Sequence, residues 1–236
     1  MLHEETVEKR TLALIKDLSA DHTLKDFVLV GGTALSLQLG HRKSLDIDLF
    51  TPKDFDSKSL AEYLKDRYYA ERVGLLKNAV FSYINGIKVD MISHQYGWVK
   101  EAEDQENIRM ASLDDIAAMK LNAIVGNGSR LKDYVDMHAL LEYRSLEQMT
   151  QAYVTKYPEM NGAMARNALL YHHDIKFDVE VNLMKGKLNW PDIADRLRQS
   201  VMEPKRVFDL KTKLSTDLEQ DQRSEVRKRL KKGRGR

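Results

Sequence analysis

The stretch FVLVGGTALSLQLGHRKSLDIDLF, residues 27–50, decides the fold of this chain. Its apolar start predicts a short buried strand, and the pair Gly31-Gly32 then lets the backbone turn sharply into a helix. Backbone N–H groups at such a helix start attract anions. On the strand that ends the stretch, the two-residue period places Asp46 and Asp48 on one face. The stretch therefore predicts a site for phosphate groups and metal.

A later segment, KVDMI at residues 88–92, repeats the alternation and places Asp90 opposite its inward apolar side chains. If this strand lies beside the first, the carboxylates of Asp46, Asp48 and Asp90 converge. Hard divalent cations such as Mg²⁺ take oxygen ligands in this arrangement, and two Mg²⁺ ions could bridge a triphosphate and an attacking hydroxyl. The alternative is an ordinary glycine turn followed by a solvated edge of the sheet.

Composition sets the frame for this interpretation. The 236 residues, 42% hydrophobic and 31% charged, suffice for one large domain or two small ones. No apolar run approaches the length of a membrane span, and the charged N-terminus lacks the apolar core of a signal peptide. The absence of cysteine excludes disulfides and thiolate sites. We expect a cytoplasmic protein with no membrane partner.

The net charge of +2 conceals an uneven distribution. Residues 223–236 hold eight Lys or Arg and one Glu, whereas the rest of the chain holds 30 basic and 35 acidic residues. A basic tail of this kind could add salt-dependent affinity for RNA through phosphate contacts. Charge runs at chain ends are, however, more often solvated termini.

Periodicity and turn signals predict an α+β fold, in which a mixed sheet with flanking helices is followed by a helical domain. We predict a sheet-containing core domain over residues 1–110, a helical domain over 111–205 and a basic C-terminal helix or tail over 206–236. The predicted strands are 69–76, 79–84 and 87–92, in addition to the two strands of the opening stretch. The predicted helices are 6–18, 55–68, 112–125, 130–142, 145–156, 161–170, 190–202 and 207–230.

The helical half carries a second group of polar residues. Lys120 shares a stripe with apolar residues of its helix, so it must either snorkel to the surface or face a polar ligand. In the next helix we place Arg130, Lys132, Asp133 and Asp136 outside the buried face. Lys132 and Asp136 are spaced i,i+4, which by itself predicts only a surface ion pair.

The glycine pair, the D-x-D pattern and the third aspartate together resemble the polymerase-β-type nucleotidyltransferase superfamily. Its members transfer a nucleoside monophosphate from an NTP and release pyrophosphate. The motifs GGTALSLQLG, RKSLDIDLF, KVDMI, SLDDIAAMKLNAI and SRLKDYVDM further resemble the AbiEii/AbiGii toxin family of that superfamily, over roughly residues 5–205. The resemblance implies the superfamily's mixed sheet and an enzyme of this class.

The resemblance also implies roles for individual residues. Asp46, Asp48 and Asp90 would hold metal and serve catalysis, with Asp90 at the usual general-base position, and Asp133 would accept a proton or orient the substrate. The implied nucleotide-binding residues are Gly31, Gly32, Thr33, Ser36, Arg42, Ser44, Lys120, Arg130, Lys132 and Asp136. The family often has serine at the second position of the turn, where this chain has Gly32.

As implied partners and cofactors we expect an NTP, two Mg²⁺ ions, and a hydroxyl acceptor on RNA, such as tRNA, or on protein. Family members are toxins of toxin–antitoxin or abortive-infection systems, which implies a cognate antitoxin encoded nearby. Two other functions fit the motifs less completely. One is a small-molecule nucleotidyltransferase of the aminoglycoside-modifying type, and the other is a non-catalytic nucleotide-binding regulator.

Overall fold

The computed structural model describes residues 1–208, which contain a single seven-stranded mixed sheet and eight α-helices. The strands are β1 (Val28–Val30), β2 (Ile47–Thr51), β3 (Glu71–Leu76), β4 (Ala79–Ile84), β5 (Ile87–Ser93), β6 (Glu103–Gln105) and β7 (Ile108–Met110). The helices are α1 (Lys9–Ala20), α2 (Gly31–Leu39), α3 (Ser57–Tyr68), α4 (Leu113–Gly126), α5 (Leu131–Leu140), α6 (Leu146–Lys156), α7 (Gly162–Ala168) and α8 (Trp190–Met202).

The order of the strands is β3-β4-β5-β2-β1-β7-β6. Strand β2 is antiparallel to β1 and parallel to β5, and Asp48 is directly opposite Asp90 in the β2–β5 register. Strands β4 and β5 form the hairpin that the Asn85-Gly86 turn predicts. The expectation that the third aspartate lies on a strand beside the D-x-D strand is confirmed.

The two faces of the sheet differ in character. In β2, β4 and β5 the residues of one face are buried, whereas most residues of the other face, which carries Asp48 and Asp90, are only partly buried. Helix α1 packs near β7, and α3 packs against β3 and β4. We call the face with the two aspartates the site face. The alternation in burial follows directly from the two-residue period of a strand.

Helices α4 to α7 pack on one another, and α2 contacts both α4 and α5. Buried apolar residues on both sides of residue 111 belong to one hydrophobic cluster. The sheet and the helical half thus share a core through α2, and the division into domains at residue 111 stays a prediction. Within residues 1–208, no helix has the length and hydrophobicity needed to cross a membrane.

Sequence and structure differ at several element boundaries. The first helix begins at Lys9 rather than at residue 6, because Glu4–Thr6 forms a short 3-10 helix and Val7 is extended. The short strands β6 and β7 were not predicted, since β6 is mostly charged and its three residues carry little pattern. The predicted helix 207–230 lies almost wholly beyond the described residues, and so does the basic tail at 223–236.

Candidate active site

The glycine turn joins β1 to α2 and brings two functional side chains against the backbone. Gly31 has a positive φ of 69°, and α2 begins there without a side-chain cap. A Cβ atom at Gly31 would lie 2.5 Å from Asp48 Oδ2, and one at Gly32 would overlap Arg42 Nη2. Gly31 is suited to its positive φ, and a side chain at either position would have to displace the carboxylate or the guanidinium that occupies the space.

Three hydroxyl groups near the turn are enclosed by the protein. The Thr33 hydroxyl donates to the backbone oxygen of Asp46 and lies 2.8 Å from Ser44 Oγ. Ser36 is fully buried, and within the described residues its hydroxyl has no hydrogen-bond partner. Thr33 and Ser44 thus fix the loop that leads into β2. The predicted contacts of these three residues with a nucleotide stay predictions.

The carboxylates of the site face form the second part of the site. Asp48 and Asp90 occupy directly opposed positions on β2 and β5, whose backbones lie about 4.8 Å apart in such a pair. Burial raises the pKa of Asp48, and the neighbouring Asp90 raises it further. Asp46 precedes β2 and is exposed. Asp48 and Asp90 therefore lie side by side, and Asp46 lies at the exposed rim, close enough for its charge also to raise the pKa of Asp48.

Lys88 shares the site face with Asp90, two residues earlier on β5. Its Nζ lies 2.5 Å from Asp90 Oδ2, while Asp90 Oδ1 is buried and has no hydrogen-bond partner within residues 1–208. Burial lowers the pKa of Lys88, but the hydrogen bond and charge of Asp90 outweigh it and raise that pKa overall. A partnered lysine at this point explains how the protein tolerates two adjacent carboxylates.

The carboxylates of Asp48 and Asp90 offer oxygen ligands to a divalent cation. Unpaired carboxylate oxygen at Asp90 and the repulsion felt by Asp48 both suit a hard cation such as Mg²⁺. Among the described residues, however, no three His, Cys, Asp or Glu side chains are grouped so that they could hold a metal ion. The donor chemistry fits at Asp48 and Asp90, and the role of Asp46 as a ligand stays a prediction.

A buried charge centre around Asp136 forms the third part of the site. Arg42 donates to both oxygens of Asp136, with 2.6 Å from Nε to Oδ1 and 2.9 Å from Nη2 to Oδ2. His41 Nε2 lies 2.8 Å from Oδ1, and Lys120 Nζ lies 2.6 Å from Oδ2. Asp136 is fully buried. This aspartate therefore positions three basic side chains beside the glycine turn.

The placement of Asp133 and Asp136 outside the buried face of their helix is wrong, since both are buried. Lys120 Nζ donates to Asp133 Oδ1 at 2.7 Å and is itself almost fully buried, so it does not snorkel. Within residues 1–208 Asp136 pairs with His41, Arg42 and Lys120, so the alternative of a surface ion pair with Lys132 is not realised. The spacing within α5 could not predict the burial of these aspartates, because their cationic partners, Arg42 and Lys120, come from the loop before β2 and from α4.

Opposite charges set the protonation of this centre. Burial favours the neutral form of Asp136, but Lys120 and Arg42 outweigh it and hold the pKa of Asp136 well below 3.8. Burial likewise acts to lower the pKa of Lys120, and Asp136 and Asp133 raise it above its ordinary value. Lys120, Arg42 and Asp136 are therefore held in their charged forms at neutral pH.

The remaining predicted cations lie at the rim. Arg130 is exposed, with its Nε 3.6 Å from Asp133 Oδ2, and Lys132 is partly exposed. Two residues that contact the site, His41 and Lys88, escaped sequence reasoning. The position of Lys88 two residues before Asp90 on a strand is a signal that could have found it. His41 carries no such signal, because its partner lies 95 residues away.

A separate buried ion pair lies on the other side of α4. Lys156 Nζ is 2.9 Å from Asp115 Oδ1, and both side chains are fully buried. Asp115 also accepts hydrogen bonds from the backbone of Val99 and Lys100. Burial lowers the pKa of Lys156 despite the hydrogen bond to Asp115. This pair ties α4 and α6 to the chain that follows β5.

A protein-family model matches most of this chain. The AbiEii model, described as the nucleotidyl transferase AbiEii toxin of a type IV toxin–antitoxin system, matches residues 13–89 and 87–215. These matches span most of the chain, so the chain belongs to the AbiEii family and is a nucleotidyltransferase. An uncharacterised protein of Aquifex aeolicus (strain VF5) is 28% identical over 184 residues, covering 75% of this chain and 87% of its own.

One solved structure shares the fold. A candidate nucleotidyltransferase from H. pylori superposes with a TM-score of 0.51 at 19% identity, covering 85% of this chain and 92% of its own. JHP933 from Helicobacter pylori is more distant, with a TM-score of 0.46 and 16% identity over 93% of this chain and 96% of its own. The predicted mixed sheet of a nucleotidyltransferase is confirmed.

Proposed function

We propose that this member of the AbiEii family transfers NMP from an NTP to a hydroxyl group of RNA, with tRNA as one such acceptor, or of protein. We further propose that it acts in the cytoplasm as the toxin of a toxin–antitoxin or abortive-infection system and is held by a cognate antitoxin. The observation that carries the catalytic proposal is the opposed pair Asp48 and Asp90 beside the glycine turn.

The chain's own groups suit this transfer. The acceptor oxygen bonds to the α-phosphorus of the NTP while the bond from that phosphorus to the bridging oxygen breaks, and pyrophosphate leaves. The hydroxyl proton passes to a carboxylate, for which the unpartnered Oδ1 of Asp90 is the suitable acceptor. Backbone N–H groups at the start of α2 face the triphosphate.

Asp48, Asp90 and, at the rim, Asp46 would hold Mg²⁺, with two ions expected. When bound, Mg²⁺ supplies positive charge for the phosphate oxygens and the attacking oxygen. Lys120, Arg42 and Asp136 position the structure around the site, because their charged groups already pair with one another within the buried charge centre. Arg130 and Lys132 at the rim remain accessible to the nucleotide.

In the direct test, the purified protein is incubated with Mg²⁺, each α-³²P-labelled NTP and total cellular RNA. A parallel incubation replaces the RNA with cellular protein. We expect label on one acceptor class with the natural chain and none with Asp48→Asn. A matched control, Asp17→Asn, changes an exposed aspartate of α1 and should label as the natural chain does. Absence of label on every acceptor, with all four NTPs and a folded protein, would overturn the proposal.

The toxin role has its own test. Inducible expression of the natural chain without its neighbours should arrest growth, and Asp48→Asn should not. Equal growth under both inductions would contradict the toxin role, and the proposed transfer activity would still stand.

A further inference from the structure

Beyond Asp90, the site face continues onto β4 with two aromatic side chains. In the antiparallel register of β4 and β5, Phe81 is directly opposite Asp90, and Tyr83 is directly opposite Lys88. Side chains directly opposed on neighbouring strands lie side by side on the same face. The two rings therefore lie next to the carboxylate and the lysine of β5, on the side away from Asp48 and the glycine turn.

These rings are not used to build the core. Both are partly exposed, and within residues 1–208 neither belongs to the hydrophobic cluster or to the apolar side chains packed against it. On the other flank of Phe81 the register places Gly74, which has no side chain to cover the ring. The sequence thus keeps two aromatic rings accessible immediately beside the reacting centre.

Two cations flank the Tyr83 ring. Strand β3 has a register shift between Glu71 and Gly74, and within it Arg72 has a positive φ of 50°. Such irregularities re-aim side chains, and here the Arg72 guanidinium lies 5.4 Å from the centroid of the Tyr83 ring. Lys88 is partly exposed on the other side of the same ring. Glu71, which pairs with Tyr83, is the acidic neighbour of this group.

We propose that Phe81, Tyr83, Arg72 and Lys88 form an acceptor surface that holds the unpaired terminal nucleotides of an RNA acceptor. This inference rests on the proposed function and names the residues that would recognise its acceptor. Aromatic rings stack on any base, and neighbouring cations bind the phosphates between bases. A base stacked on Phe81 lies beside Asp90, because the two residues are directly opposed on β4 and β5. A protein hydroxyl would need neither the rings nor the cations.

The test measures binding of a 5′-labelled single-stranded oligoribonucleotide to the full chain by fluorescence anisotropy, without NTP. The ring variant Phe81→Leu with Tyr83→Leu keeps apolar volume, so the fold should be retained. We expect its affinity to fall by at least about 5- to 150-fold, which is the loss that accompanies removal of a single base stack, and by more if both rings stack on bases. The charge variant Arg72→Gln with Lys88→Gln should lower the slope of log affinity against log salt by up to about 2.

A matched control comes from the end of α3. Tyr69 is 80% exposed, and Arg67 lies 5.5 Å from the ring of Tyr68, so the chain offers a second exposed tyrosine and a second arginine beside a ring. Tyr69→Leu with Arg67→Gln should bind RNA as the natural chain does. In the transfer assay, the ring variant should raise KM for RNA and leave KM for the NTP unchanged.

The outcomes separate the two proposals. RNA affinity equal to that of the natural chain in the ring variant would overturn the acceptor surface, as would label that passes to protein at an unchanged rate in that variant. A natural chain that labels another acceptor yet binds no single-stranded RNA overturns the surface and leaves transfer intact. A natural chain that labels nothing overturns the proposed function, which the binding assay does not measure.

Discussion

Removing the charge of Asp136 should destabilise the protein strongly. In Asp136→Asn the two bonds from Arg42, the contact with Lys120 and the contact with His41 lose their anionic partner, while the cations stay buried. Breaking a buried ion pair by removing one partner costs about 3–5 kcal/mol, because it leaves an uncompensated charge. That is a large share of the roughly 5–15 kcal/mol by which domains are stable.

The loss should depend on pH in a definite direction. The folded-state pKa of Asp136 is held well below its ordinary value, mainly because Lys120 and Arg42 outweigh burial. The carboxylate therefore contributes stability above the unfolded-state pKa of about 3.9, and this contribution is lost as pH falls through the folded-state pKa. The difference between the natural chain and Asp136→Asn should be full at pH 7 and should shrink below about pH 4.

Urea unfolding followed by circular dichroism at a series of pH values measures this difference. The control is Asp195→Asn, which removes an exposed carboxylate 3.1 Å from Arg198 and should cost less than about 1 kcal/mol. A loss at pH 7 no larger than that of the control, or a loss that stays constant on acidification, would refute the reasoning.

Three other changes test separate parts of the structure. Gly32→Ala should reduce the rate of labelled-NTP turnover about 10²-fold, because the new methyl group displaces the Arg42 guanidinium, whereas Gly97→Ala, which has open space, should not. Asp48→Asn should raise Tm, because the folded-state pKa of Asp48 is raised and its charged form destabilises the fold above that pKa. Transfer should fall about 10²-fold or more in this variant. An unchanged or lower Tm would contradict the repulsion between Asp48 and Asp90. Lys156→Met should cost about 3–5 kcal/mol of unfolding free energy and leave turnover per folded molecule unchanged, which a denaturation curve and an active-fraction assay decide together.

Much of the site could be predicted because its parts are local in sequence. The turn at Gly31-Gly32 needs only a strand, two glycines and a helix, all within residues 27–39. The pairing of Asp48 with Asp90 required one further step, that two strands with the same alternation lie side by side. Helix positions between residues 112 and 202 were predicted to within a few residues, and in the structure side-chain caps at Ser112 and Ser145 mark where two of these helices begin.

What failed was the prediction of which charges are buried. Asp133 and Asp136 look like the outer side of an amphipathic helix, and periodicity assigns polar residues to solvent. Their partners come from elsewhere in the chain, and only packing of α5 against the loop before β2 and against α4 makes burial tolerable. Lys156, for which the sequence analysis made no prediction, is likewise buried against a distant partner, because Asp115 is 41 residues away.

The sequence by itself determined the sheet-and-helix architecture, the glycine turn and the two strands that carry Asp48 and Asp90, since these depend on short-range spacing and on side-chain periodicity. The tertiary structure decided how those groups are paired. It showed that Gly32 leaves space for the Arg42 guanidinium and that Lys88 pairs with Asp90. It also showed that Asp136 is buried and binds Arg42 through both carboxylate oxygens. Pairing energies between charges depend on distance and burial, and both arise only when distant segments pack together.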